Sequence, residues 1–165
     1  MQGSAGWILD LDIQIQFAPE TSAKISYMVK KKSKQLNSGQ VIIPASHPNP
    51  PEPHEIEAAW VLARHFQCTV EFMIPIDDYM RKTADIIMHG VEWEIKSPIG
   101  ESKSTIGNQF KTASKQSKHI VIDTRRTTLE YDRIEKSVHH EMKKRVTIKR
   151  VILINKSAIV VEISR

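Results

Sequence analysis

The sequence predicts a mixed α/β domain, on three observations. An amphipathic helical stretch runs from His54 to Gln67, three short strand candidates follow it, and a second helical stretch then leads into a short apolar run. The order helix, three strands, helix, strand layers helices on a sheet. A C-terminal helix and a β-hairpin complete the expected core, and an N-terminal β extension precedes it.

In the first helical stretch Ile56, Ala59, Trp60, Ala63 and Phe66 recur at helical spacing. On that wheel Glu55 lines up with Ala59, Leu62 and Phe66, whereas Glu57 falls with Val61 and Arg64 on the far side. An inward Glu55 needs a partner or a metal, because an unpaired buried charge is costly. The alternative is a solvated carboxylate that favours the dipole of the first helical turn.

Cys68, Val70, Phe72 and Ile74 alternate as a strand, and Pro75 to Arg81 reads as a loop. Ala84 to His89 and Val91 to Ser97 are two further strands, turned by His89-Gly90. Thr105 is the expected N-cap of a helix that reaches about Ser117 and buries Ile106, Phe110 and Ala113. His119 to Asp123 is a short apolar strand expected to be buried on both faces. A helix from Tyr131 to Lys144 should turn Ile134, Val138 and Met142 inward. Val151 to Ile154 and Ala158 to Ile163, joined at Asn155-Lys-Ser157, form the closing hairpin.

Five prolines between positions 44 and 53 forbid helix and mark a linker between an N-terminal extension, residues 1–43, and the main domain, residues 54–165. Within the extension, Leu9 to Phe17 alternates apolar and polar as a half-buried strand should, and a basic run follows from Lys30 to Lys34. A length of 165 residues suits one domain with a proper core. The formal charge of +5 suits a polyanionic partner such as nucleic acid. Cys68 is the single cysteine, which excludes an internal disulfide framework and a multi-cysteine zinc site; its place in an apolar alternation predicts a core thiol. No apolar run approaches bilayer length, and Met1 to Gly6 lacks the regions of a signal peptide, so no membrane partner and a cytoplasmic site of action are expected.

The chemistry concentrates in Asp85-Ile-Ile-Met-His-Gly-Val-Glu-Trp-Glu-Ile-Lys96. Strand alternation sends Val91, Trp93 and Ile95 to one face and Glu92, Glu94 and Lys96 to the other. With Asp85 delivered by the neighbouring strand, two carboxylates can hold a hard divalent cation, and the lysine can stabilise charge developing on a phosphate. That is the equipment of metal-dependent phosphodiester cleavage. Any half-solvated strand, however, also alternates charged and apolar residues.

An acid in the first helix, Asp85 on the second strand and Glu94-x-Lys96 on the third, in this order of elements, resembles the PD-(D/E)XK nuclease superfamily over Glu55 to Asp123. It departs from that pattern at Ala84, where a proline usually precedes the aspartate. More specifically, Thr83-Ala-Asp-Ile-Ile-Met-His-Gly-Val-Glu-Trp-Glu-Ile-Lys-Ser-Pro-Ile-Gly100, then Thr105-Ile-Gly-Asn-Gln-Phe110, Gln116 and Ile120-Val-Ile-Asp-Thr-Arg-Arg126, resembles the C-terminal tRNase domain of contact-dependent growth inhibition (CdiA) toxins and its stand-alone relatives, over roughly Glu55 to Arg165. The resemblance implies divalent-metal cleavage of RNA, with tRNA as the expected substrate, a cognate immunity protein and a delivered or secreted effector domain. The site it carries over is Glu55, Asp85, Glu94 and Lys96. Asp85 and Glu94 would bind Mg2+ (or Mn2+ or Zn2+), with Glu55 completing the shell through a water and Lys96 positioning the attacking water or neutralising the transition state.

Gln109 and Gln116, seven residues apart on the second helix, would line the cleft above the metal, unless they merely form a solvated face. Arg125 and Arg126, at a strand end, are candidate nucleic-acid contacts, and Lys111, Lys115 and Lys118 would extend a basic rim. Metal-independent RNases use histidines instead. His139 and His140 diverge by about 100 degrees on their helix and cannot form one site unaided. His47, within the proline-rich stretch, and His54, just after it, stand in no metal-binding pattern. Most of the seven histidines are therefore expected at the surface, with His54 and His89 the two that adjoin a motif. Two alternatives stay open: a metal-independent RNase of the barnase and colicin type, and a non-enzymatic nucleic-acid-binding or immunity module whose acids are spent in ion pairs.

Overall fold

The structure, a computed structural model, describes residues 24–27 by their backbone and residues 39–76, 82–102 and 104–165. The strand expected at Leu9 to Phe17 and the basic run at Lys30 to Lys34 lie outside these residues. The elements are β1 (Lys24–Tyr27), β2 (Gln40–Pro44), α1 (Pro53–Phe66), β3 (Thr69–Phe72), β4 (Ile86–Met88), β5 (Val91–Lys96), α2 (Thr105–Ala113), β6 (His119–Asp123), α3 (Tyr131–Lys144), β7 (Arg150–Ile154) and β8 (Val160–Ser164).

From β2 to β8 seven strands pair in chain order, and β1 adds antiparallel to β2 at the edge. Three helical crossovers return the chain to a parallel neighbour: α1 between β2 and β3, α2 between β5 and β6, and α3 between β6 and β7. The β3-β4-β5 run and the closing β7-β8 pair are antiparallel. Their burial divides the core into two layers. Trp93, Ile95, Val121 and Ile152 pack with Ala59 and Leu62 of α1 on one face of the sheet. Ile120, Ile122, Val151 and Leu153 pack with Ile106 and Phe110 of α2 and Val138 of α3 on the other. The result is a three-layer α/β/α arrangement.

Several expectations are met at the level of single residues. The third helix spans Tyr131–Lys144 and buries Ile134, Val138 and Met142. β6 spans His119–Asp123 with its last four residues buried. His89 and Gly90 both take positive φ, 52° and 72°, as a two-residue hairpin loop between β4 and β5 demands. Cys68 is half-buried against the α1 layer.

Other expectations are corrected. The N-cap of α2 is Ser104, not Thr105, and the regular helix ends at Ala113, so Gln116 lies in the turn beyond it. Gln109 and Gln116 therefore do not share one helical face. The proline-rich stretch is the β2–α1 connection, with Pro53 opening the helix, where its missing N–H costs nothing. β2, whose sequence lies in the expected extension, pairs with β3 and buries Val41 and Ile43 in the α1 layer. Gly39 explains how closely it does so, because a Cβ there would sit 1.8 Å from the Ala63 carbonyl oxygen.

Candidate active site

β4 and β5 are antiparallel, with Ile86 opposite Trp93, so Asp85 at the start of β4 comes beside Glu94 on β5. The Asp85 carboxylate accepts the backbone amide of Ile95 at 2.7 Å, the residue between Glu94 and Lys96. The Lys96 ammonium donates to one carboxylate oxygen of Glu94, an i, i+2 contact that strand alternation makes available. The structure thus brings Asp85, Glu94 and Lys96 together.

Burial sets the electrostatics. Glu94 is 0% exposed, unlike a residue of the half-solvated strand that was the alternative reading, because the sheet is covered on this side as well. Burial first, and then the neighbouring Asp85 charge, push its carboxyl up to about 7. Asp85 is also raised, by burial foremost; the Ile95 amide opposes this, and the charge of Glu55 adds to it. Two adjoining buried acids, each held above its ordinary range and one of them raised by the charge of the other, are a poor arrangement for structure alone and are characteristic of a functional centre.

Glu55 is half-buried at the first turn of α1, and its carboxylate accepts the Glu52 amide at 3.0 Å in a capping box. Its partner is thus the helix's own N-terminus, an outcome between the two expected. Glu57 faces out and stands 3.8 Å from Arg125. A cleft of about 490 Å³ opens here, lined by Glu55 and Asp85 together with His47, Lys82 and Thr83.

Among the described residues no group of three or more His, Cys, Asp or Glu side chains is disposed to hold a metal ion. Asp85 and Glu94 nevertheless fit a hard cation as a pair. Glu94 Oε2 is buried without a hydrogen-bond partner, and a cation would satisfy that oxygen while relieving the repulsion between the two carboxylates.

The remaining candidates are spread more widely. Gln116 donates to the Thr83 carbonyl at 3.4 Å, which ties the end of α2 to the chain just before Asp85. Gln109 is half-buried on α2. Arg125 spends its guanidinium on buried Asp123, through contacts of 2.9 and 2.7 Å, whereas Arg126 is exposed. Of the histidines, His89 meets the Phe66 ring at the opposite end of α1, and His47, which no periodicity distinguishes, lies in the cleft. A larger groove of about 900 Å³ separates α2 from α3, but it holds none of the paired carboxylates of the site.

Comparison with known proteins finds a family model that matches part of the chain. Residues 82–160 match the contact-dependent growth inhibition CdiA C-terminal domain. The matched stretch contains Asp85, Glu94 and Lys96 and begins after Glu55 and His47. Among solved structures, a CdiA-CT/CdiI toxin and immunity complex from Burkholderia pseudomallei is similar in fold, with a TM-score of 0.55 at 16% identity. The alignment covers 74% of this chain and 98% of that one. No curated protein matches the chain.

Proposed function

We propose that this chain is a CdiA-type toxin domain that acts as a divalent-metal-dependent nuclease of the PD-(D/E)XK kind, hydrolysing RNA, with tRNA as the substrate. The observation that carries the reading is the buried pairing of Asp85 with Glu94, with Lys96 held on Glu94. A surface that only bound nucleic acid would have no use for carboxylates at its centre.

Asp85 and Glu94 would hold the cation, with water and phosphate oxygens filling the positions that no third side chain supplies. When bound, such a cation polarises a phosphoryl oxygen and activates water for attack. The Ile95 amide keeps the Asp85 carboxylate in place, so the ligand pair is organised before substrate arrives. Lys96, with its side chain 22% exposed, presents a positive charge where the transition state accumulates negative charge. Glu55, across the cleft, adds a carboxylate that orients water.

The solved toxin and immunity complex of similar fold supports a cognate immunity protein for this chain too. Delivery into a target cell, with action in its cytoplasm, completes the proposal. Sequencing the products formed from total cellular nucleic acid tests the substrate assignment. Discrete breaks in tRNA are expected, and breaks confined to DNA would overturn it.

A further inference from the structure

The cleft beside Glu55 and Asp85 holds a group that the paired carboxylates do not account for. His47 lines it from the β2–α1 connection, and Lys82 and Thr83 line it from the stretch before β4. Its Nδ1 is buried and has no hydrogen-bond partner. A buried polar atom left unpaired costs about 1–3 kcal/mol, and such atoms call for a ligand or a mechanism. The backbone that carries this side chain is also restrained. The His47 amide donates to the Pro44 carbonyl at 3.0 Å, and prolines at 44, 48, 50, 51 and 53 restrict the backbone on both sides.

Hydrolysis of a phosphodiester needs two proton movements. The acids and Lys96 serve the attacking side, and the alkoxide that departs needs a donor. On the nuclease reading Asp85 and Glu94 are ionised ligands of the cation and Lys96 is held on Glu94, so none of them is placed to give that proton. The geometry points to His47 as the catalytic acid that protonates the leaving oxygen, on a substrate whose scissile phosphate enters this cleft. This inference rests on the nuclease reading. In the step, the oxygen of water bonds to phosphorus and the bond from phosphorus to the nucleoside oxygen breaks. That oxygen takes the proton of the His47 imidazolium, and the proton lost by water passes to solvent, from which His47 is recharged.

The test compares two substrates that differ in their need for an acid: tRNA, whose leaving alkoxide must be protonated, and bis(p-nitrophenyl) phosphate, whose p-nitrophenolate departs without a proton. His47→Ala and His47→Gln should each cut tRNA about 100-fold or more slowly, yet hydrolyse the activated diester within about threefold of the parent rate. Thermal melts of both variants check that the fold survives. Equal losses on the two substrates, or no loss on tRNA, would overturn the assignment of His47 while leaving the nuclease reading intact. Asp85→Asn and Lys96→Ala are the controls for that reading. If they cut tRNA at the parent rate, the nuclease reading itself fails, and the role of His47 with it.

Discussion

The Asp85 carboxylate accepts the amide of Ile95 at 2.7 Å, so the first acid of the site is fastened to the backbone between Glu94 and Lys96. One hydrogen bond thereby fixes the spacing of three charged groups supplied by two strands. Asp85→Ala should lose both the contact and the cation ligand. RNA cleavage should fall by at least about two orders of magnitude, and the β4–β5 amides should exchange faster with solvent, as read by hydrogen exchange. Unchanged exchange at Ile95 would show that the bond does not organise the strands.

Glu94 sets a pH dependence with a definite sign. Its carboxyl ionises near 4.5 when unfolded but near about 7 in the fold, so between those values the native state holds the additional proton. The stability linked to neutral Glu94 is complete below about 4.5, declines as the pH rises towards about 7, and is flat above. In buffer free of divalent ions, Glu94→Gln should therefore be more stable than the parent at pH 8, by roughly 1–3 kcal/mol, and about equal to it at pH 4.5. Urea melts at the two pH values decide the matter. A difference of the same size at both would contradict the assignment.

Glu55 and Glu57 should behave differently on substitution. Glu55→Gln keeps a side chain able to serve the capping box yet removes the charge that faces Asp85, so it should slow cleavage strongly with little change in melting temperature. Glu57→Gln alters only an exposed pairing at 3.8 Å and should leave both unchanged. Equal activity of the two variants would show that Glu55 is not the carboxylate that α1 supplies to the site.

Gly39 tests the packing of β2. A methyl group there would meet the Ala63 carbonyl at 1.8 Å, and backbone on both sides has little room to give. Gly39→Ala should cost about 1–3 kcal/mol in chemical denaturation, the range of overpacked sites. A neutral result would mean that β2 docks more loosely than the structure places it.

Much of this was legible in the chain. Alternation marked β3, β4 and β5, and the 3.6-residue period placed Ile134, Val138 and Met142 on the buried side of α3. Asp85, Glu94 and Lys96 followed from the same parity. The burial of Glu94 did not, because a strand pattern shows which residues share a face and not whether another layer covers that face. The commitment of Arg125 to Asp123 depends on a turn after β6 that has no periodicity. β2 was hidden for a similar reason: five residues ending in proline, at the end of the expected extension and beside a proline-rich stretch, show no strand signal until β3 is there to pair with them. His47 belongs to the same stretch, where fixed prolines rather than a repeat determine the position of a side chain.

On the proposed reading, Asp85, Glu94 and Lys96 cut RNA with a divalent cation. It is tested most directly by incubating purified tRNA with the parent protein and with Lys96→Ala, in magnesium, manganese or zinc and again in EDTA, beside filter binding of the same tRNA. Cleavage by the parent should need one of the metals and stop in EDTA. Lys96→Ala should lower turnover by about two orders of magnitude while binding persists, since other cations share the contacts to the backbone. Full cleavage in EDTA, or a Lys96→Ala protein that cuts normally, would contradict the account and favour a metal-independent RNase.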